Sequence, residues 1–326
     1  MLAAVATSQS ATDPLSCLEV LDVPVPTPQP GWALVKVMAS SLNMHDLWTL
    51  RGVGHPAELI PRILGCDAAG FDEDGNEVVV YPIIAEADRG RGDETIDPQR
   101  SLLSEGHDGA FATYLTVPRR NLIAKPAGLS FEQAACLPVA WGTAYRMLFT
   151  HAQVQPGDRV LVQGAGGGVA SAAIMLAAAA GAEVYATSRS ESKRRDAESW
   201  GAHAAVETGG RLPAKVDVVI ETVGEATWAH SLKCLRPGGT MVIAGATSGM
   251  NPPADLGRVF YQQQRILGST GCTRHELVAL LQMLKVTGLR PVIDRTIQLE
   301  DIHKGFQLMM DGDITGKVVV SPTHDN

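Results

Sequence analysis

Five consecutive positions with almost no side chains, Gly164-Ala165-Gly166-Gly167-Gly168, are the part of this 326-residue sequence best suited to hold an anion. A bare backbone can approach a pyrophosphate closely, and the N–H groups at the start of a following helix carry the partial positive charge that receives it. The flanks fit that use. Arg159-Val160-Leu161-Val162 reads as a buried parallel strand opened by the Pro156-Gly157-Asp158 turn. Val169 to Ala180 is alanine-rich, has the length of a helix, and meets a stop at Gly181. Glu183 to Thr187 is the second strand. The dinucleotide fingerprint is imperfect, since Ala170 stands at its third glycine. A tight turn with no ligand is the competing reading; the strand, helix and second strand, all in place, favour a nucleotide held by Gly166, Gly167, Gly168 and Val169.

The end of the second strand chooses the nucleotide. A ribose 2′-hydroxyl is held by an acid about 20 residues past the glycines, whereas a 2′-phosphate needs cations and hydroxyls. This sequence offers Thr187-Ser188-Arg189-Ser190, then Lys193, Arg194 and Arg195, with Glu191 the only nearby acid and placed at the start of the next helix. Some of these cations form a solvated helix face. Ser188, Arg189 and Lys193 are the 2′-phosphate ligands expected here, which selects NADPH over NADH.

The elements that must carry these residues follow from pattern and composition. Hydrophobic residues make up 45% and charged residues 19%, so the chain is globular and long enough for two domains. A net charge of −8 gives no general attraction to nucleic acid or anionic membrane. No basic amino-terminal region leads into a long apolar run, and the 169–180 run is too short to span a bilayer. The five cysteines are scattered, odd in number and without a C-x-x-C pair, which suits a reduced cytoplasm and no disulfide framework.

Residues 1–125 read as strands and turns, including 31–37, 78–81 and 109–117, with the charged stretch 86–105 as a loop. From Ser130 the pattern turns helical, interrupted at Pro138. After the glycine unit, strands at 216–220, 240–244 and 265–269 alternate with a helix at 225–235, which predicts a doubly wound parallel sheet with its ligand at the carboxyl ends of the strands. A helix at 274–288, a strand near 292–298, a helix near 300–311 and a strand at 316–320 close the chain.

The stretches NMHDLWTLRG, ILGCDAAG, GAFATYLTVP, LSFEQAACLPVAWGTAYRML, VQGAGGGVASAA, RPGGTMVIAG, RILGST and DGDITGKVVV occur in the order of a medium-chain dehydrogenase/reductase, which the whole chain resembles. The resemblance implies an α/β protein: a GroES-like β-rich catalytic domain from 1–125 and 269–326, and a Rossmann cofactor domain from 126–268. Within the family the zinc-free quinone oxidoreductase (zeta-crystallin-like) branch is the most similar, with members labelled alcohol dehydrogenase also alike. Where zinc alcohol dehydrogenases place a ligating Cys, His and Cys, this sequence has Asn43, Cys66 and, approximately, Leu137. The four-cysteine structural zinc lobe would fall between about Ile84 and Glu105, which contains no Cys. Cys66 beside Asp67 suggests a metal pair less well than a buried thiol. Both zinc sites are therefore expected to be absent.

The resemblance further implies a reductase that passes hydride from NADPH to a quinone or α,β-unsaturated carbonyl, whose charge spreads over an oxygen that donors and water can stabilise. Asn43 would face the nicotinamide, Asp46 would orient a neighbour, His45 would be a proton donor or a packing residue, and Tyr81 a cleft donor or half-core. Trp48 and Trp141 would stack on a flat substrate or simply pack, and His107 would face solvent. Thr143 would touch the cofactor, with Val223, Gly245, Ala246, Ser269 and Thr270 at strand ends around it. Other readings are an alcohol dehydrogenase or carbonyl reductase, a weakly catalytic NADPH-binding protein, and an acyl-thioester enoyl reductase whose cationic patch would have only Arg51 and Arg62. Homodimers of the family pair an edge strand, placed here near 240–246.

Overall fold

The two ends of the chain build one body and its middle another. In this computed structural model, which describes residues 1–322, the first unit comprises Met1–Val139 and Thr273 onward, and the second Ala140–Cys272.

The first unit runs through β1 (Leu2–Ala6), β2 (Leu18–Asp22), β3 (Trp32–Ser41), helix α1 (Met44–Leu50), β4 (Arg62–Ile63), β5 (Asp67–Phe71) and β6 (Glu77–Val80). It continues through β7 (Ile83–Ile84), β8 (Ser101–Leu102), β9 (Tyr114–Pro118), β10 (Leu122–Ala124) and helix α2 (Phe131–Ala135). Strict alternation makes β3 the spine: Ala33, Val35, Val37 and Ala39 are buried while Leu34, Lys36 and Met38 are less so. β5, β9 and, from the carboxyl end, β18 (Lys317–Ser321) all pair with it antiparallel. The core beneath α1 gathers Leu47, Leu50, Leu64, Phe111, Phe306 and Val318.

Two expectations fail in this unit. The ladder predicted from Gly109 begins only at Tyr114. Gly109, Ala110 and Phe111 instead donate to the carbonyls of Ile63, Gly65 and Leu64, and a Cβ on Gly109 would lie 2.4 Å from the Leu64 oxygen. The stretch 86–105 is not a featureless loop. It holds short 3-10 turns at Ala87–Gly90 and Glu94–Ile96, and the β7–β8 pair. The buried Asp97 carboxylate organises it, accepting from Glu86 N, Gln99 N and both Nε and Nη2 of Arg89.

The second unit comprises α3 (Gly142–Tyr145), β11 (Arg159–Val162), α4 (Gly168–Ala179), β12 (Glu183–Thr187), α5 (Glu191–Ser199), β13 (Ala204–Val206), β14 (Val216–Glu221), α6 (Glu225–Cys234), β15 (Leu235–Ile243), α7 (Leu256–Tyr261) and β16 (Arg265–Gly268). Its sheet has the order β13-β12-β11-β14-β15-β16 and every pair is parallel. The runs 160–162 and 218–220 are buried on both faces, as a covered parallel sheet requires. The strand order reverses between β11 and β14, which opens the crevice where doubly wound sheets bind ligands. β15 lies between β14 and β16, so the strand expected at the edge is interior and β16 is the edge. Sequence marks where strands occur but carries little of their lateral order. Around Pro138 the helical pattern widens into a π-type turn, Leu137–Trp141.

The remaining elements, α8 (Arg274–Thr287), β17 (Ile293–Gln298), α9 (Ile302–Asp311) and β18, belong to the first unit. No helix among the described residues is long and apolar enough to cross a membrane.

Candidate active site

In the second unit the glycine turn connects β11 to α4. Gly164 and Gly166 have φ of +75° and +121°, which side chains rarely tolerate. Gly167 is the N-cap of α4, has no side-chain cap, and has open space where a Cβ would stand. The first N–H groups of a twelve-residue helix are thus left to a ligand, and the alanines behind them pack tightly enough to bury the helix. Val223 and Lys193 frame the turn: a Cβ on Gly164 would meet Val223 Cγ2, and one on Gly166 would meet Lys193 Cδ, each at 2.6 Å.

Most of the other residues expected at the cofactor follow strand ends of the same sheet, with Lys193 on α5 and Thr143 on α3. Ser188 and Arg189 follow β12, Gly245 and Ala246 follow β15, and Ser269 and Thr270 follow β16. Ser188 is buried and Arg189 exposed. Ser269 donates its N–H to Ile243 O at 2.8 Å, while its buried hydroxyl has no partner among the described residues. Thr143 is nearly buried on α3, which packs against α4. This arrangement fits a dinucleotide.

Two parts of this cradle escaped the sequence reading. Arg194 reaches back with Nη1 to Ser188 O at 2.8 Å and Arg189 O at 3.3 Å, so it braces the loop that presents them. Arg195 pairs with Glu191 on the helix surface. The second is Glu221, fully buried at the end of β14. It accepts from Val223 N at 2.8 Å, Gly224 N at 3.1 Å, Thr227 Oγ1 and Ser231 Oγ. Gln163 extends the chain, donating to Ser231 Oγ and accepting from Thr187 Oγ1 at 2.6 Å. The carboxyl ends of β11, β12 and β14 are thereby fixed to one another. A charged residue ending an apolar strand is the signal that could have found Glu221.

In the first unit three of the four expected catalytic residues, Asn43, His45 and Asp46, sit at the start of α1. Asn43 is 8% exposed and its amide is committed: Nδ2 donates to Asp67 Oδ2 at 2.8 Å and to Ser41 O, and Oδ1 accepts from Lys317 Nζ at 2.6 Å. Lys317, buried on β18, also donates to Leu42 O and approaches Asp67 at 3.4 Å. Asp67 in turn accepts from Ser41 Oγ and Val139 N. Sequence reading passed over Lys317 because it stands in an apolar closing strand. Asp46 accepts from Asn43 N at 2.9 Å and Gly65 N at 3.1 Å, an orienting role. Tyr81 lies just past β6 rather than on it and is 2% exposed. Trp141 is fully buried and packs, while Trp48 is half-buried. His107, expected in solvent, is half-buried with its ring 5.2 Å from Trp32, because the 104–109 turn folds onto β3.

His45 belongs to a second cluster. Its Nε2 lies 2.8 Å from Glu105 Oε1 and its Nδ1 3.3 Å from Cys66 Sγ. Cys66, fully buried, is also 3.2 Å from Ser104 Oγ and 3.8 Å from Asp46 Oδ1. Burial disfavours the imidazolium, but Cys66, Glu105 and Asp46 outweigh it and hold the His45 pKa well above its ordinary value. Burial likewise pushes the Asp46 carboxyl up to about 6, against His45 and the Asn43 and Gly65 N–H groups. The Cys66 thiol is raised by burial too.

The zinc positions implied by resemblance do not form a ligand set. Asn43 is spent on Lys317 and Asp67, the Cys66 thiol is turned to His45, and Leu137 has no donor atom and is buried. The donor atoms of His45, Asp46 and Cys66, however, all lie within 4.8 Å of one another. Sequence reading weighed Cys66 with Asn43, Leu137 and its neighbour Asp67, but not with His45 or Asp46.

Comparison with known proteins agrees with this geometry. The family described as alcohol dehydrogenase GroES-like domain matches residues 29–127, and that described as zinc-binding dehydrogenase matches residues 168–286. An acryloyl-coenzyme A reductase from Sulfurisphaera tokodaii is 30% identical, over 91% of this chain and 95% of its own. The chain belongs to the medium-chain dehydrogenase/reductase superfamily. Among solved structures of that superfamily, an NAD-dependent alcohol dehydrogenase superposes with a TM-score of 0.91 at 34% identity, over 98% of this chain and 99% of that one. A crotonyl-CoA carboxylase/reductase in complex with NADP gives 0.90 at 26% identity, over 98% and 94%. The protein is thus an oxidoreductase of the medium-chain type, with a GroES-like unit and a Rossmann-like parallel sheet.

Proposed function

We propose that this protein is an NADPH-dependent reductase of α,β-unsaturated carbonyl compounds, with an enoyl thioester as the preferred class and a quinone as an alternative acceptor. The observation that carries the reading is the likeness to an acryloyl-coenzyme A reductase over nearly the whole of both chains. The geometry supports it. The uncapped start of α4 suits a pyrophosphate, and Ser188 and Arg189, with Lys193 across the turn, suit a 2′-phosphate. Backbone groups at Gly245, Ala246, Ser269 and Thr270 would hold the carboxamide, with Thr143 and Val223 beside them.

NADPH, when bound, would supply a hydride for the β-carbon of the conjugated system. The electrons then reside on an enolate, a delocalised anion that hydrogen-bond donors stabilise without a Lewis acid at positions 43, 66 and 137. Asn43, Asp46 and Lys317 shape the α1 entrance rather than touching that oxygen, because their hydrogen bonds close on one another. Water serves as the proton source for the α-carbon. The catalytic domain is taken as 1–125 with 269–326, the cofactor domain as 126–268, and the working protein as a cytoplasmic homodimer.

Steady-state oxidation of NADPH separates the readings when acryloyl-CoA or crotonyl-CoA, a quinone and a simple ketone are compared. The proposal expects the thioesters to give the highest kcat/KM. A preference for the ketone with NADH would favour the alcohol dehydrogenase reading, which the similarity to an NAD-dependent alcohol dehydrogenase motivates. NADPH binding without turnover of any of them would reduce the protein to a cofactor-binding one.

A further inference from the structure

We infer that His45, Asp46 and Cys66 form a binding site for one divalent cation of the zinc class, built on a donor set different from positions 43, 66 and 137. The donors come from two elements. The first turn of α1 supplies adjacent His45 and Asp46, and Cys66 is the residue before β5. Cys66 Sγ stands 3.3 Å from His45 Nδ1 and 3.8 Å from Asp46 Oδ1. Tetrahedral zinc, with bonds of about 2.0–2.3 Å, sets its donors roughly 3.3–3.8 Å apart. The two distances from Cys66 already have that spacing, and the His45–Asp46 pair lies within 4.8 Å.

The surroundings are those of a supported site. Glu105 Oε1 keeps a proton on His45 Nε2, so the proton that a bound cation would displace is the one on Nδ1, the nitrogen directed at Cys66. A carboxylate behind a ligating imidazole is the usual outer shell of such metals. Asn43 N and Gly65 N each hold one oxygen of Asp46 and leave lone pairs on both. A thiolate, a carboxylate and a neutral imidazole around a divalent cation sum to zero charge, which a fully buried Cys66 and Asp46 favour. One sulfur and one nitrogen donor select zinc or cobalt over magnesium or calcium. The ion would tie α1 to β5, and through Glu105 to the turn after β8. Water would fill its fourth position. The site is independent of the substrate proposed above.

The test uses tag-free, chelator-treated full-length protein titrated with cobalt(II), then zinc. The expected result is one cobalt per chain with a thiolate charge-transfer band, and a rise in Tm on adding zinc. Cys66→Ser and His45→Ala should each abolish the band, while Glu105→Gln should weaken cobalt binding by about 10- to 100-fold. A circular dichroism spectrum and a single thermal transition like those of the metal-free wild type show that the variants fold. Substoichiometric cobalt without the band overturns the site, as does a band that survives in Cys66→Ser or His45→Ala. A band lost in Asn43→Ala but kept in His45→Ala would move the ion to the other donor set and overturn it equally.

Discussion

Arg189 and Arg194 stand five residues apart with the same charge, and only their side-chain directions separate their roles. Arg189 is exposed just past β12. Arg194 turns back from α5 and holds the carbonyls of Ser188 and Arg189. Arg189→Ala is therefore expected to weaken NADPH about tenfold, near 1.4 kcal/mol, since solvent screens an exposed cation, and to leave NADH unchanged. Arg194→Ala should lower Tm and affect both cofactors alike. Fluorescence titration of each variant with each cofactor checks this; equal losses for the two cofactors in Arg189→Ala would remove the 2′-phosphate assignment. The position of Arg189 just past β12 was legible from its distance past the glycines. Arg194 was not, because its role depends on a side chain that reaches back along the chain, and spacing does not record that. His45 and Cys66 were each visible as reactive types, but 21 residues separate them, and no local pattern joins a helix turn to the residue before a distant strand.

At the scale of elements, the parallel strands and the alanine-rich helix declared themselves through uninterrupted apolar runs, whereas the segment between β7 and β8 declared nothing. Its order comes from polar side chains that bond to backbone, a device with no period. Asp97 is fully buried against Arg89, and hydrogen bonds from that guanidinium and from Glu86 N and Gln99 N hold its carboxyl well below the usual range. Where the zinc dehydrogenases are expected to hold this lobe with four cysteines and a metal, a single carboxylate ties it here. Asp97→Asn should lower Tm and expose residues 86–100 to limited proteolysis, with hydride transfer less affected. The sign with pH follows from the depressed pKa: the carboxylate stabilises the fold above the unfolded carboxyl pKa of about 3.9, and that contribution fades as pH falls through the lower folded value. The gap in Tm between wild type and Asp97→Asn should thus be full at neutral pH and narrow towards acid. A gap that does not change with pH would assign the effect to packing instead.

For the whole molecule, the split of the chain into a β-rich unit from both ends and a parallel-sheet unit from the middle was implied by the family resemblance, while the alternation of strands and helices after the glycine turn pointed to the parallel sheet itself. What alternation could not supply was the lateral order of the sheet. That order decides which strand can pair with a second copy. β15 is enclosed by β14 and β16, so its N–H and C=O groups are already used, and the open ladder on that side belongs to β16. An open edge is a template for another strand. The helix before it, α7, leaves Leu256, Phe260 and Tyr261 at 71%, 72% and 79% exposure, a cost that a partner surface would remove. A homodimer therefore ought to form through β16 and α7, not through residues 240–246. Light scattering after gel filtration should give the mass of two 34.5 kDa chains for the wild type, and of one chain for Phe260→Asp combined with Tyr261→Asp. Because both substitutions lie on an exposed face, the folded second unit should keep its NADPH affinity. A wild type that runs as a single chain removes the homodimer, and a dimer indifferent to the double substitution places its interface elsewhere.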